Sequence, residues 1–196
     1  MYGLLISIGG ILAFLISEKA AKKRGLNLKV FYIAINFAVI GGVVGARLWH
    51  VIDYWAFYSE NIGQAFEIWK GGLGIFGGLI GGGLATVCVL AFYKERILAW
   101  LDIFVLGLPL AQAIGRWGNF FNQEVYGVET SLPWGLIIDG RRHHPLFLYE
   151  SMLNLTLFLV LQYLWTHKKL KEGYFFGIYI GAYVAIRILL QPLRLS

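Results

Sequence analysis

The chain has 196 residues, 58% hydrophobic, 16% aromatic and only 14% charged, with a mean hydropathy of +0.66; a water-soluble domain does not depart this far from ordinary usage. The formal net charge of +6 sits in short basic clusters between apolar runs, where membrane topology and anionic lipid account for it, arguing against nucleic acid as a partner. The expected fold class is an all-α, polytopic integral membrane helix bundle.

Apolar stretches long enough to cross a hydrocarbon core about 30 Å thick recur near residues 2–17, 30–53, 72–93, 97–116, 146–166 and 174–191. They predict six spans in a single membrane domain, 1–196, with a short external segment at 117–145. The first stretch lacks a basic leader and a small-residue cleavage site, and its positive charges follow it, so it reads as a retained span. Lys19, Lys22, Lys23, Arg24 and Lys29 follow the first span, Lys94 and Arg96 the third, and Lys168, Lys169 and Lys171 the fifth. Every second loop is therefore basic and expected on the cytoplasmic side. The alternate loops carry Trp55, Trp69 and Trp134, as interfacial belts on the outer side would. The single Cys88 permits no disulfide framework and is expected to be a buried small apolar residue.

Polar residues inside this apolar frame carry the functional signal. Arg47, Asp53, Asp102, Arg116, Glu150 and Arg187 fall within or at the ends of spans, and an arginine or aspartate at a membrane helix centre costs roughly 2.5–3.5 kcal/mol. Arg47, Asp53 and Asp102 suit structural pairing or snorkelling as well as function. Arg116 and Arg187 lie at outward ends, where two guanidiniums facing one cavity would present forked donors to a phosphate or carboxylate.

Three short stretches concentrate the remaining chemistry. GRWGNFFNQEVYG, residues 115–127, gathers Arg116, Asn119, Asn122 and Glu124 at the end of an apolar run. The glycine run GGLGIFGGLIGGG, residues 71–83, contains a GxGxxG spacing, but no strand or dinucleotide fold surrounds it. Its four-residue spacings, Gly74, Gly78 and Gly82 or Gly77 and Gly81, suit close packing of membrane helices, and its first residues suit an unwound turn beside a water-accessible cavity. HHPLFLYE, residues 143–150, places Pro145 at a helix start with Tyr149 and Glu150 in the first turn. Its His144 is a candidate for titration near neutral pH.

GRWGNFFNQEVYG resembles the signature of the prolipoprotein diacylglyceryl transferases, of the form G-R-x-G-N-F-x-N-x-E-x-x-G, at every fixed position. The resemblance extends to Tyr2–Gly3, VVGARLWHVIDY, IWKGGLGIFGGLIGG, HPLFLYE and the Tyr183-x-x-x-Arg187 spacing, and so covers essentially the whole chain. It implies transfer of the diacylglyceryl group of phosphatidylglycerol to the lipobox cysteine of a preprolipoprotein, at the outer leaflet of a bacterial cytoplasmic membrane. It requires no cofactor or metal. It implies that Arg116 and Arg187 hold and stabilise the phosphate, that Asn119 and Glu124 shape the headgroup pocket, that Tyr2 and Tyr183 bond near the phosphate or glycerol, and that Gly127 permits a close turn. Arg47, Asn122 and Tyr149 are further substrate-binding candidates, and His144, Glu124 or His50 are the candidates to assist the thiol as catalytic base. Two positions depart from the pattern. Phe76 stands where the family has the histidine of its His-Gly-Gly motif, and Gln191 where it usually has a glutamate. An altered relative that only binds anionic phospholipid, and an unrelated transporter with a charged cavity, are the alternatives.

Overall fold

The computed structural model describes residues 1–122, 124 and 126–194. Its helices are α1 (Tyr2–Lys23), α2 (Leu28–Asp53), α3 (Trp55–Glu60), α4 (Ile75–Phe92), α5 (Ile97–Val105), α6 (Leu108–Phe121), α7 (Leu146–His167) and α8 (Tyr174–Leu190). A hairpin of β1 (Leu136–Ile138) and β2 (Arg141–His143) pairs Leu136 with His143 and Ile138 with Arg141. Five helices are long and apolar enough to cross a membrane, and a sixth span follows if the bent pair α5–α6 crosses as one. The protein is thus an all-α, multi-pass membrane protein.

The predicted spans differ from the helices in three instructive places. α1 continues past residue 17 to Lys23, because its amphipathic last turn is helical without being apolar. The predicted fourth span is broken between Val105 and Leu108 and bent by 40°, where Gly107 and Pro109 interrupt the hydrogen-bond ladder. The predicted third span begins three residues late, at Ile75, because Gly71 and Gly72 take φ of +88° and +73°. Only glycine enters that region without steric cost.

The chain forms two compact units, Arg24–Ile97 and a second built from Met1–Lys23 and the chain from Leu98 onward. In the first, α2 packs along α4. The glycines make the contact: a Cβ on Gly41 would lie 2.8 Å from the Gly81 carbonyl oxygen, and one on Gly45 would collide with the Gly77 carbonyl. The backbones approach as closely as two peptide chains can, and the contact is dispersion without side chains. Of the predicted spacings, Gly77 and Gly81 meet the α2 backbone, whereas Gly78 keeps ordinary contact distances. Cys88, expected to be buried, is exposed on α4. In a membrane helix the outward face is the apolar one, so an apolar run does not predict burial.

In the second unit α6 packs against α1 and α7, and α7 against α8. Tight points are again at small residues, with Gly9 against Ala111 and Gly107 against Ala13. Ser151 donates to the Ala113 carbonyl at 2.9 Å and accepts from Trp117 Nε1 at 3.1 Å, which fixes α7 in register on α6. Asp102, fully buried, accepts from the Gly173 and Phe176 backbone N–H groups, both at 3.0 Å. It thereby caps the first turn of α8 from another helix and satisfies donors that α8 cannot satisfy itself.

Candidate functional site: an arginine cluster around Glu150

The second unit brings distant polar residues onto one carboxylate. Glu150, one turn into α7 and 2% exposed, has its Oε2 2.5 Å from Arg116 Nε of α6. Its Oε1 lies 3.7 Å from Arg187 Nη1 of α8 and 3.9 Å from Arg194 Nη1 of the C-terminal segment. The first is a charge-assisted contact; the other two are Coulombic neighbours beyond hydrogen-bond length. A carboxylate buried at this depth is tolerated only with such partners, and here the cations outnumber it.

The signature places further groups at the C-terminal end of α6 and just beyond it. Tyr2 lies across Gly118, where a Cβ would sit 2.5 Å from its ring, so the glycine makes room for α1 at the C-terminal end of α6. Asn119 is buried, and its carbonyl accepts from the Glu124 N–H at 2.8 Å as the chain leaves α6. Asn122 Nδ2 is 3.4 Å from Glu124 Oε1, a long contact. Asn119 and Glu124 line a cavity of about 510 Å³ with Phe120, Phe147 and the hairpin residues Leu136 and Ile137. Phe120 stacks on Phe147 with centroids 4.7 Å apart, which gives this cavity an aromatic wall.

Gly127 acts through the space it leaves. Its N–H donates to the His144 carbonyl at 2.9 Å, and a Cβ there would lie 2.6 Å from the Leu193 carbonyl and 2.8 Å from His144 Cβ. Two backbone segments, at His144 and at Leu193, therefore converge on Gly127. His144 Nδ1 is 3.3 Å from the Tyr149 hydroxyl, which accepts from Trp134 Nε1 at 2.9 Å. Tyr183, one turn before Arg187, stacks on Tyr179 with centroids 6.1 Å apart.

Arg47 belongs to the other unit and has a different environment. Its Nε donates to the Ala65 carbonyl at 2.8 Å, Nη1 to Gly71 at 2.7 Å and Gly72 at 3.0 Å, and Nη2 to Gln64 at 2.6 Å. Its guanidinium also lies 5.3 Å from the Tyr58 ring centroid. Most of its donors are committed to the loop between α3 and α4. Phe76 is exposed at the start of α4, 6.0 Å from Trp49 between ring centroids.

Of the sequence-predicted residues, Arg116 and Arg187 converge, Asn119 and Glu124 share a cavity, and His144 and Tyr149 contact each other. Glu150 and Arg194 were not among them. Glu150 was visible as an ionisable group inside a span; Arg194 follows the last apolar run and carries no such signal. Among the described residues no three His, Cys, Asp or Glu side chains are grouped to hold a metal ion.

The profile of the prolipoprotein diacylglyceryl transferase family matches residues 1–196. The chain belongs to that family. Among similar relatives, a Finegoldia magna protein named phosphatidylglycerol–prolipoprotein diacylglyceryl transferase is 38% identical over 193 residues, covering 98% of this chain and 78% of the relative. A Clostridioides difficile protein of the same name is 43% identical over 194 residues, covering 98% and 77%. One from Staphylococcus aureus is 36% identical over 205 residues, covering 98% and 72%. The chain is accordingly a transferase.

Proposed function

We propose that the chain transfers the diacylglyceryl group of phosphatidylglycerol to the cysteine thiol of a preprolipoprotein lipobox, at the outer leaflet of a bacterial cytoplasmic membrane. The thiolate attacks the glyceryl carbon, the carbon–oxygen bond to phosphate breaks, and a thioether forms as glycerol 1-phosphate leaves with the bonding electrons. The observation that carries this reading is the convergence of Arg116 and Arg187 on Glu150.

Each participant has a physical role. Arg116 and Arg187 hold the phosphodiester and stabilise the charge that develops on its departing oxygen, where a desolvated donor is worth most. The same positive field lowers the pKa of an incoming thiol from its ordinary value of about 8.5. Asn119 and Glu124, which line the aromatic-walled cavity, shape the pocket for the headgroup. His144, in contact with Tyr149, is the candidate proton acceptor in place of the histidine that Phe76 replaces. Two acyl chains remain in the bilayer throughout, so the lipid enters sideways between helices.

The test is incubation of the purified protein with phosphatidylglycerol vesicles and a lipobox peptide, followed by mass spectrometry. A thioether-linked diacylglyceryl peptide is expected. Phe76 favours a second reading, in which the chain binds phosphatidylglycerol without turning it over. Lipid binding with no modified peptide would establish that reading and sink the first.

A further inference from the structure

We infer that Arg194 is a third phosphate ligand, and that the arginine cluster is matched to the doubly charged leaving group rather than to the singly charged lipid. This rests on the phosphate-binding role proposed above for Arg116 and Arg187.

Arg194 reaches the cluster by a specific route. After α8 the chain makes a 3₁₀ turn, Gln191–Leu193, and returns antiparallel to the segment that closes the signature. Gly127 and Arg194 form an antiparallel bridge, and the Val128 N–H donates to the Leu193 carbonyl at 3.0 Å. The approach depends on Gly127 having no side chain, since a Cβ there would meet the Leu193 carbonyl. The glycine that ends the signature thus docks the tail that presents Arg194 to Glu150.

Two features of Arg194 point to a ligand. Its Nη1 is buried yet has no hydrogen-bond partner among the described residues, a costly state for a guanidinium nitrogen. At 3.9 Å it is also the most loosely held of the guanidiniums around Glu150. An oxyanion bound in the cluster would supply the missing acceptor.

Charge identifies which oxyanion fits. Arg116, Arg187 and Arg194 around Glu150 leave an excess of two positive charges. The reacting thiolate and phosphodiester carry one negative charge each, and after transfer both charges reside on the phosphate monoester while the thioether is neutral. With Arg116 and Arg187 alone the excess would be one, enough for the single charge on the diester phosphate but not for the two that the monoester carries once the thiolate's charge has moved onto it. The third arginine meets the charge that builds on the phosphate as the carbon–oxygen bond breaks, and a contact that strengthens on the way to the transition state lowers the barrier.

The experiment compares two soluble ligands on the purified full chain in neutral-lipid nanodiscs. Glycerol 1-phosphate is a dianion at about pH 8, well above its second pKa of about 6, and glycerophosphoglycerol is a monoanionic diester. Calorimetry on the wild type is expected to give about tenfold tighter binding of the monoester, the scale of one added charged hydrogen bond. Arg194→Gln should remove that preference while diester affinity stays within about threefold. Arg194→Met, which removes the charge without adding an amide to satisfy, gives the same reading should the glutamine variant not fold. A preference that persists in these variants, equal weakening of both ligands, or no preference in the wild type would each overturn the inference. Absence of peptide modification by the wild type would sink the proposed activity but leave the ligand preference to decide the role of Arg194.

Discussion

Arg47 and Arg116 are both arginines set toward the C-terminal end of an apolar helix, and their surroundings differ in kind. Arg47 donates to four neutral backbone carbonyls of the loop between α3 and α4 and faces a tyrosine ring. Arg116 meets one carboxylate that two other guanidiniums also approach. The first arrangement uses up the guanidinium: its donors are matched one to one, and its charge is spread over peptide dipoles. The second leaves cationic capacity unspent. A buried arginine marks a binding site when its environment holds more positive charge than its neighbours neutralise, not merely when it is buried.

That contrast can be broken from either side. The largest effect is expected for Arg116→Ala, which should lower kcat in the peptide modification assay by about 10²–10³, the scale of removing one preorganised donor to a developing oxyanion. Wild-type turnover in that variant would place the chemistry elsewhere. Arg47→Met should instead act on folding. It strands the carbonyls of Gln64, Ala65, Gly71 and Gly72, some of which water can reach, so a loss of about 3 kcal/mol is expected. The measurable signs are a lower melting temperature and faster proteolysis of the loop at residues 61–72. A raised KM with unchanged melting would give Arg47 the substrate role that the resemblance implied.

The smallest effect belongs to an ion pair that is exposed on both sides. Arg141 Nη1 lies 2.6 Å from Glu129 Oε1, and that hydrogen bond, followed by the guanidinium's charge, holds the Glu129 carboxyl below its ordinary value of 4.5. A carboxylate with a lowered pKa contributes stability above its unfolded pKa and loses it as pH falls through the folded one. Glu129→Gln should therefore shift the melting temperature only slightly near neutral pH, solvent screening the pair. The wild-type and variant curves should merge in acid, and a gap that widens there would reverse the sign.

The spans were legible because hydrocarbon imposes length and apolarity on every crossing helix. Arg116, Glu150 and Arg187 stood out for the same reason, since an ionisable group within such a run carries a visible cost. What stayed hidden was of two kinds. The partners of Arg47 are peptide carbonyls, which every residue possesses, so no side chain announced them. Arg194 lies beyond the last apolar run, where a charge costs nothing and draws no notice. Only the tail's return onto Gly127 gives it meaning. Exposure of Cys88 was missed because apolarity indicates burial in water but exposure in lipid.

Asp102 has a consequence for how the chain is assembled. The donors it satisfies at Gly173 and Phe176 lie 71 and 74 residues later in the sequence. During synthesis the carboxylate on α5 is thus made before α8, and the newcomer docks onto an acceptor already present in the chain. Arg187 rides at the far end of that helix. Arg187 and Arg194 are consequently made after Arg116 and Glu150, and the cluster is completed only once α8 and the turn that follows it have been synthesised.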